Sequence, residues 1–139
     1  MTILGIDHVQ MAAPSGSEET ARHFYGRLLG LAELANPEAL QSRGGVWFQL
    51  GKQQLHIGIA ESFVPAQKAH PALAVSPDGL SALAETLAHA GVVVTWDDSL
   101  PGAKRFYVAD PWGNRLEFVA AAMMAHRPDP GPLGGMGLR

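Results

Sequence analysis

The spacing of apolar positions along this chain changes in an order that occurs twice. Residues 3–12 alternate apolar and polar positions, the period of a strand, and Pro14-Ser15-Gly16-Ser17 interrupts them. Ser15 with Glu18 three residues on has the spacing of a capping box. Ala21, Phe24, Leu28 and Leu31 follow at helical spacing, and Gly30 suits a left-handed C-terminal cap. Residues 31–35 fit a short strand and 36–38 a loop. Residues 45–50 and 53–59 read as two strands of a hairpin turning at Gly51-Lys52. After a connector over 60–69 the order repeats. Residues 70–75 read as a strand, and Ser76-Pro77 as an N-cap with proline at the first helical position. Leu80, Leu83, Leu87 and Ala90 form a helical stripe ending at Gly91. Residues 92–96 are β-branched enough for a strand, and 97–102 for a loop. Strands at 105–109 and 115–120 flank the turn Asp110-Pro111-Trp112-Gly113-Asn114.

Each half is therefore β-α-β-β-β, which predicts an α+β fold of two tandem βαβββ modules. The expected bounds are 3–59 for the first module, 60–69 for the connector and 70–120 for the second module. Residues 121–139 form a Pro/Gly-rich tail that is expected to be a flexible or draped extension. Strand parity sorts the faces. Leu55, Ile57 and Ile59 oppose Gln54, His56 and Gly58, and Leu116 and Phe118 oppose Arg115, Glu117 and Val119. The apolar faces should pack under helices on the outside. The other faces should line an open, cup-shaped mixed sheet.

Composition narrows the function classes. The chain has 139 residues, enough for one domain with a real core or two small modules sharing one. It has no cysteine, which excludes disulfides, thiolate ligands and Cys nucleophiles and fits a reducing compartment. No apolar run approaches a membrane span, and the N-terminus does not resemble a signal peptide, so a cytoplasmic location is expected. Net charge is −3 with the cations scattered, which gives no basic stripe for nucleic acid.

The candidate chemistry follows from the repeat. His8 opens the first copy and His70 the second, while Leu55-His56-Ile57 and Leu116-Glu117-Phe118 close them. His56 lies 48 residues after His8, and Glu117 lies 47 after His70. Four such side chains meeting at one point would bind a divalent cation, although any one strand histidine is more often structural. Trp47, Gln49, Arg105 and Tyr107 share strand parity and are candidates to line the cup. Trp47 and Tyr107 are equally candidates for core packing. Arg105 and Tyr107 would position an anionic or oxygen-rich substrate. His23 and His89 fit exposed helix positions and His126 the tail; none is expected to be a ligand. Asp97-Asp98 fits a solvated turn.

The doubled pattern, the segment Phe24-Tyr25-Gly26-Arg27-Leu28-Leu29-Gly30-Leu31 and the run from Phe106 through Asp110-Pro111-Trp112-Gly113-Asn114 to Leu116-Glu117-Phe118 resemble the vicinal oxygen chelate superfamily. That group includes glyoxalase I, bleomycin-resistance proteins, fosfomycin-resistance enzymes and extradiol dioxygenases. The resemblance spans about residues 3–120 and implies metal ligands at His8, His56, His70 and Glu117. Glyoxalase I usually has a glutamate where this chain has His56, so a shuttle between two carboxylates is not implied here. The resemblance implies one divalent ion per site, Zn, Ni, Mn, Co or Fe(II), acting as a Lewis acid on a small molecule that offers oxygen donors. Glu117 and Tyr107 are then the catalytic candidates, in a lyase or isomerase like lactoylglutathione lyase or in an extradiol-type dioxygenase. The alternative is a metal-free drug- or small-molecule-binding protein of the bleomycin-resistance type. A homodimer whose cup draws on both chains is expected from the same resemblance.

Overall fold

A computed structural model describes residues 2–121; the expected tail, with Met123 and His126, lies outside the described residues except for Ala121. The first half contains β1 (His8–Ala13), α1 (Glu18–Ala21) running on as a π-helical segment (Arg22–Leu28), β2 (Glu33–Leu34), a 3-10 segment (Glu38–Arg43), β3 (Val46–Leu50) and β4 (Gln53–Ile59). The second contains β5 (Ala72–Val75), α2 (Leu80–His89), β6 (Thr95–Asp97), β7 (Arg105–Ala109) and β8 (Arg115–Ala120). Each half forms one four-stranded mixed sheet, ordered β1-β4-β3-β2 and β5-β8-β7-β6. The fold is thus the expected repeated α+β arrangement, with one difference. Within one chain the two sheets stay separate, and β1 and β5 are each left at a sheet edge.

Local differences from the sequence expectation have identifiable causes. The first strand begins at His8, because its parallel partner β4 begins at the hairpin and pairs His8 with Gln54. Beyond that point the Ile6 carbonyl accepts the Gln53 side-chain amide at 2.8 Å instead of a ladder bond. The capping box at Ser15 and Glu18 does not form. Ser17 is the N-cap, and Glu18 Oε1 accepts from Gly45 N at 3.3 Å. Helix α2 starts at Leu80 after Gly79, so Ser76-Pro77 makes a turn rather than the cap. The strand expected at 92–96 is shorter, because Val92 N is spent on the Leu87 carbonyl at the helix end. The π segment was not expected. In its widened turn Leu29 N bonds the Phe24 carbonyl at 3.0 Å, and the adjacent Phe24 and Tyr25 both face inward, at 2% and 0% exposure.

The apolar strand faces meet the helices in one continuous core. It joins Phe24, Tyr25, Phe48, Leu55 and Ile57 of the first half to Leu80, Leu87, Phe106, Leu116 and Phe118 of the second. A buried polar clamp holds the halves in register. Tyr25 Oη donates to Asp110 Oδ2 at 2.7 Å, across 85 residues of sequence. The same carboxylate accepts from Trp112 N, Asn114 N and Asn114 Nδ2 at 3.1, 2.8 and 2.9 Å. Asn114 Nδ2 also donates to the Ala12 carbonyl of β1, and its Oδ1 accepts from Ala66 N of the connector. Burial, and then the Asp110 charge, push the Tyr25 phenol far above its ordinary pKa, so it serves only as a neutral donor. Tyr25→Phe leaves a buried carboxylate one donor short. It should lower stability by about 1.5–3 kcal/mol, the cost of a bond to a charged group, in urea denaturation at fixed protein concentration. A change below about 0.5 kcal/mol, the scale of an ordinary surface substitution, would contradict the clamp.

Candidate metal centre

The first sheet builds one half of the candidate site. Parallel pairing sets Gln10 beside His56 and His8 beside Gln54, so His8, Gln10, Gln54 and His56 share the face away from the core. The His8 and His56 rings stack at 4.4 Å with 19° between planes. Trp47, directly across from His56 on β3, covers the other side of that imidazole at 3.9 Å and 2°. His56 is thus sandwiched and 6% exposed. Burial, and then the charge of His8, hold its pKa below the ordinary imidazole value. Its Nε2 meets Gln54 Oε1 at 2.8 Å. His8 Nδ1 meets the Asp7 carboxylate at 2.9 Å, which fixes the proton there and leaves Nε2 as the free donor atom.

The second sheet builds the other half. His70 Nδ1 donates to the Lys68 carbonyl at 2.9 Å, since a carbonyl can only accept. Its Nε2 therefore faces Glu117 Oε1, at 3.3 Å, with a lone pair in the neutral ring. Two acceptor atoms at that separation require a proton or a cation between them. The donor chemistry fits a metal: an imidazole oriented by a backbone carbonyl beside a carboxylate that is 7% exposed. Tyr107 pairs directly across from Glu117, and the His70 ring stands edge-on to it at 5.5 Å. Burial, and then the neighbouring Glu117, raise the Tyr107 phenol pKa.

The remaining candidates are placed as follows. Arg105 Nη1 lies 3.8 Å from Glu117 Oε2, while Nη2 reaches Asp97 Oδ2 at 3.2 Å and Ser99 Oγ at 3.4 Å. Asp97 is held below its ordinary pKa by Ser99 first and by Arg105 second. Gln49 turns its amide to the hairpin, donating to the Gly51 and Gln53 carbonyls at 2.6 and 3.1 Å. His23 is exposed, and His89 bonds the Glu85 carbonyl of its own helix. His8 is thus brought to His56, and His70 to Glu117. Among the described residues, however, no three His, Asp or Glu side chains of one chain gather as a metal site requires. Strand parity put Gln54 and Arg115 on the ligand-bearing faces without giving either a role, and sequence reasoning passed over Asp7.

Comparison with known proteins places this geometry. Residues 5–118 match the family described as the Glyoxalase/Bleomycin resistance protein/Dioxygenase superfamily. A crystal structure of a protein from Bacillus anthracis assigned to the glyoxalase family is 48% identical. It superimposes with a TM-score of 0.82 over 86% of this chain and 97% of that one. Two more distant structures share the fold. Lactoylglutathione lyase from Agrobacterium tumefaciens is 17% identical, with a TM-score of 0.66 over 88% of this chain and 98% of its own. A mutant of the fosfomycin resistance protein FosX from Listeria monocytogenes is 15% identical, with a TM-score of 0.73 over 86% and 93%, and was crystallised with Mn(II) and 1S,2S-dihydroxypropylphosphonic acid. No curated protein sequence matches the chain. With more than half of its length matched by the family and this duplicated architecture, the chain belongs to the glyoxalase/bleomycin resistance/dioxygenase superfamily.

Proposed function

We propose that this protein is a divalent-metal-dependent enzyme for small molecules with oxygen donors, and that two copies build each site. The observation that carries the reading is the split of the ligand set. His8 and His56 sit at and beside edge strand β1, whereas His70 and Glu117 sit at and beside edge strand β5. An unpaired strand edge favours pairing with another chain. Meeting of β1 from one copy with β5 of the other would unite the halves as two equivalent sites. A divalent ion held there would supply Lewis-acid stabilisation to an oxygen that gains charge. Three imidazoles and one carboxylate suit Zn, Ni, Mn, Co or Fe(II) alike.

The chain's own residues then have distinct tasks. Asp7 and the Lys68 carbonyl fix the protons on His8 and His70, so that each Nε2 is free to coordinate. Glu117 is the only carboxylate of the ligand set, and it is the group to take up or return a proton of the substrate. Tyr107 stays protonated as its burial raises its pKa, and it can donate to a developing oxyanion. Lyase or isomerase chemistry and extradiol-type oxygenation both remain open to this set. A metal-free binder of the bleomycin-resistance type is the second reading. It is favoured by one observation, that His56 Nε2 is satisfied by Gln54 with no metal required.

Protein prepared without chelator should bind one divalent ion per chain by calorimetry and elemental analysis. Glu117→Gln and His70→Ala should each weaken that binding beyond the roughly 10–100-fold cost of an outer-shell change; undiminished affinity in either variant would favour the binder. Sharing has its own test. A His8→Ala chain mixed with a Glu117→Gln chain should regain one intact site per heterodimer, seen as half the wild-type metal-binding capacity in the purified heterodimer. No recovery would mean that each site is built within one chain.

A further inference from the structure

The same face of the second sheet carries a pocket of about 370 Å³ that the ligand set does not use. Its walls are mostly apolar or small: Val93, Thr95, Ala109 and Gly113, closed by Tyr107 and Arg115. Val93 is 79% exposed, so an apolar surface waits uncovered there. Tyr107 forms the common wall with the His70–Glu117 half-site.

Among the described residues, Arg115 is the single charged one lining this pocket. Its guanidinium centre lies 4.0 Å from the centroid of the Tyr107 ring, a cation–π contact that uses the flat face and leaves the N–H edges free. Among the described residues no carboxylate lies within ion-pair distance of it, in contrast to Arg105, which reaches Asp97 and Glu117. Ala109 is its cross-strand neighbour and leaves the space in front of it open. The strand is anchored behind by Arg115 N on the Ala66 carbonyl at 2.9 Å. A fixed planar fork of donors at the end of an apolar pocket selects a carboxylate carried on a compact hydrophobic body.

We infer that this pocket is the specificity subsite of the enzyme, and that Arg115 binds the carboxylate of a small organic acid whose apolar part lies against Val93, Thr95 and Ala109. This rests on reading the adjoining His70–Glu117 face as the reaction site, and it names the substrate class. The pocket lies entirely within one chain, so it can be tested without metal or turnover.

The test uses full-length protein stripped with chelator, titrated with phenylacetate and with its neutral isostere phenylacetamide, and followed by calorimetry and amide NMR. Phenylacetate should bind and shift the amides of Val93, Thr95, Ala109 and Arg115. Phenylacetamide should bind at least about tenfold more weakly, the low end of what a bond to a charged group contributes. Arg115→Gln should abolish that preference, Arg115→Lys should keep part of it, and Ala109→Phe, which fills the pocket with Arg115 intact, should remove binding of both probes. Equal affinity for acid and amide would overturn the inference, as would shifts confined to another surface or a preference that survives Arg115→Gln. Metal titration of the Arg115→Gln protein separates the two readings. Unaltered metal affinity with lost acid preference supports the subsite, and lost metal affinity with the acid preference retained refutes it while leaving the metal reading in place.

Discussion

The Asp110 carboxylate is the constraint on which the rest of this structure depends. It is buried at 4% exposure, and among the described residues it is balanced by hydrogen-bond donors rather than a cation. Burying a charge is tolerable only when its lone pairs are met. Here two backbone amides of its own turn, the Asn114 amide and the Tyr25 hydroxyl meet them. The arrangement ties one turn of the second half to the helix of the first. Asn114 extends it to β1 and to the connector. The clamp therefore sets where edge strand β1 lies relative to β8, whose second and third residues are Leu116 and Glu117. The Asp-Pro-Trp-Gly-Asn turn is accordingly an architectural element, and the proposed ligand Glu117 lies just beyond it on the strand it launches.

That division explains how the proposed site comes to be in halves. Each sheet has one face turned to the core that the two halves share. Among the described residues, the donor atoms on the other faces are not gathered within one chain. Each half is already oriented by hydrogen bonds to groups outside the ligand set: Asp7 for His8 and the Lys68 carbonyl for His70. Preset tautomers reduce the reorganisation needed when a cation arrives. His56 is the exception, stacked between Trp47 and His8 with its Nε2 engaged, so its recruitment requires either Nδ1 or a turn of the Gln54 amide.

Much of the fold was legible from the chain because its turns are chemically explicit. Gly51-Lys52 and Asp110-Pro111-Trp112-Gly113-Asn114 bound strands that start and stop where the turn residues dictate, so β4, β7 and β8 match their expected spans. Alternation also sorted His56 and Glu117 onto the faces away from Leu55 and Phe118. Tyr25 falls on the same helical stripe as Ala21, Phe24 and Leu28, but the stripe could not show that its hydroxyl meets Asp110 of the other half. The Ser15 cap failed because Ser17, two residues on, is the helix N-cap, while Glu18 reaches across to Gly45. Arg115 was given no role because its proposed one rests on the Tyr107 ring beneath it and the small Ala109 opposite, a pairing across two strands that no linear spacing encodes. Convergence of the four proposed ligands is likewise a tertiary property. Pseudo-symmetry can suggest it, but strand parity alone cannot say which copy of the chain supplies each half.

The most direct measurement is a crystal structure of the protein grown with Mn(II), with the ion located by its anomalous scattering. The account predicts His8 and His56 of one copy together with His70 and Glu117 of the partner subunit around each ion, with ligand atoms at roughly 2.0–2.2 Å. Four ligands drawn from a single chain, or an ion bound away from Glu117, would contradict it.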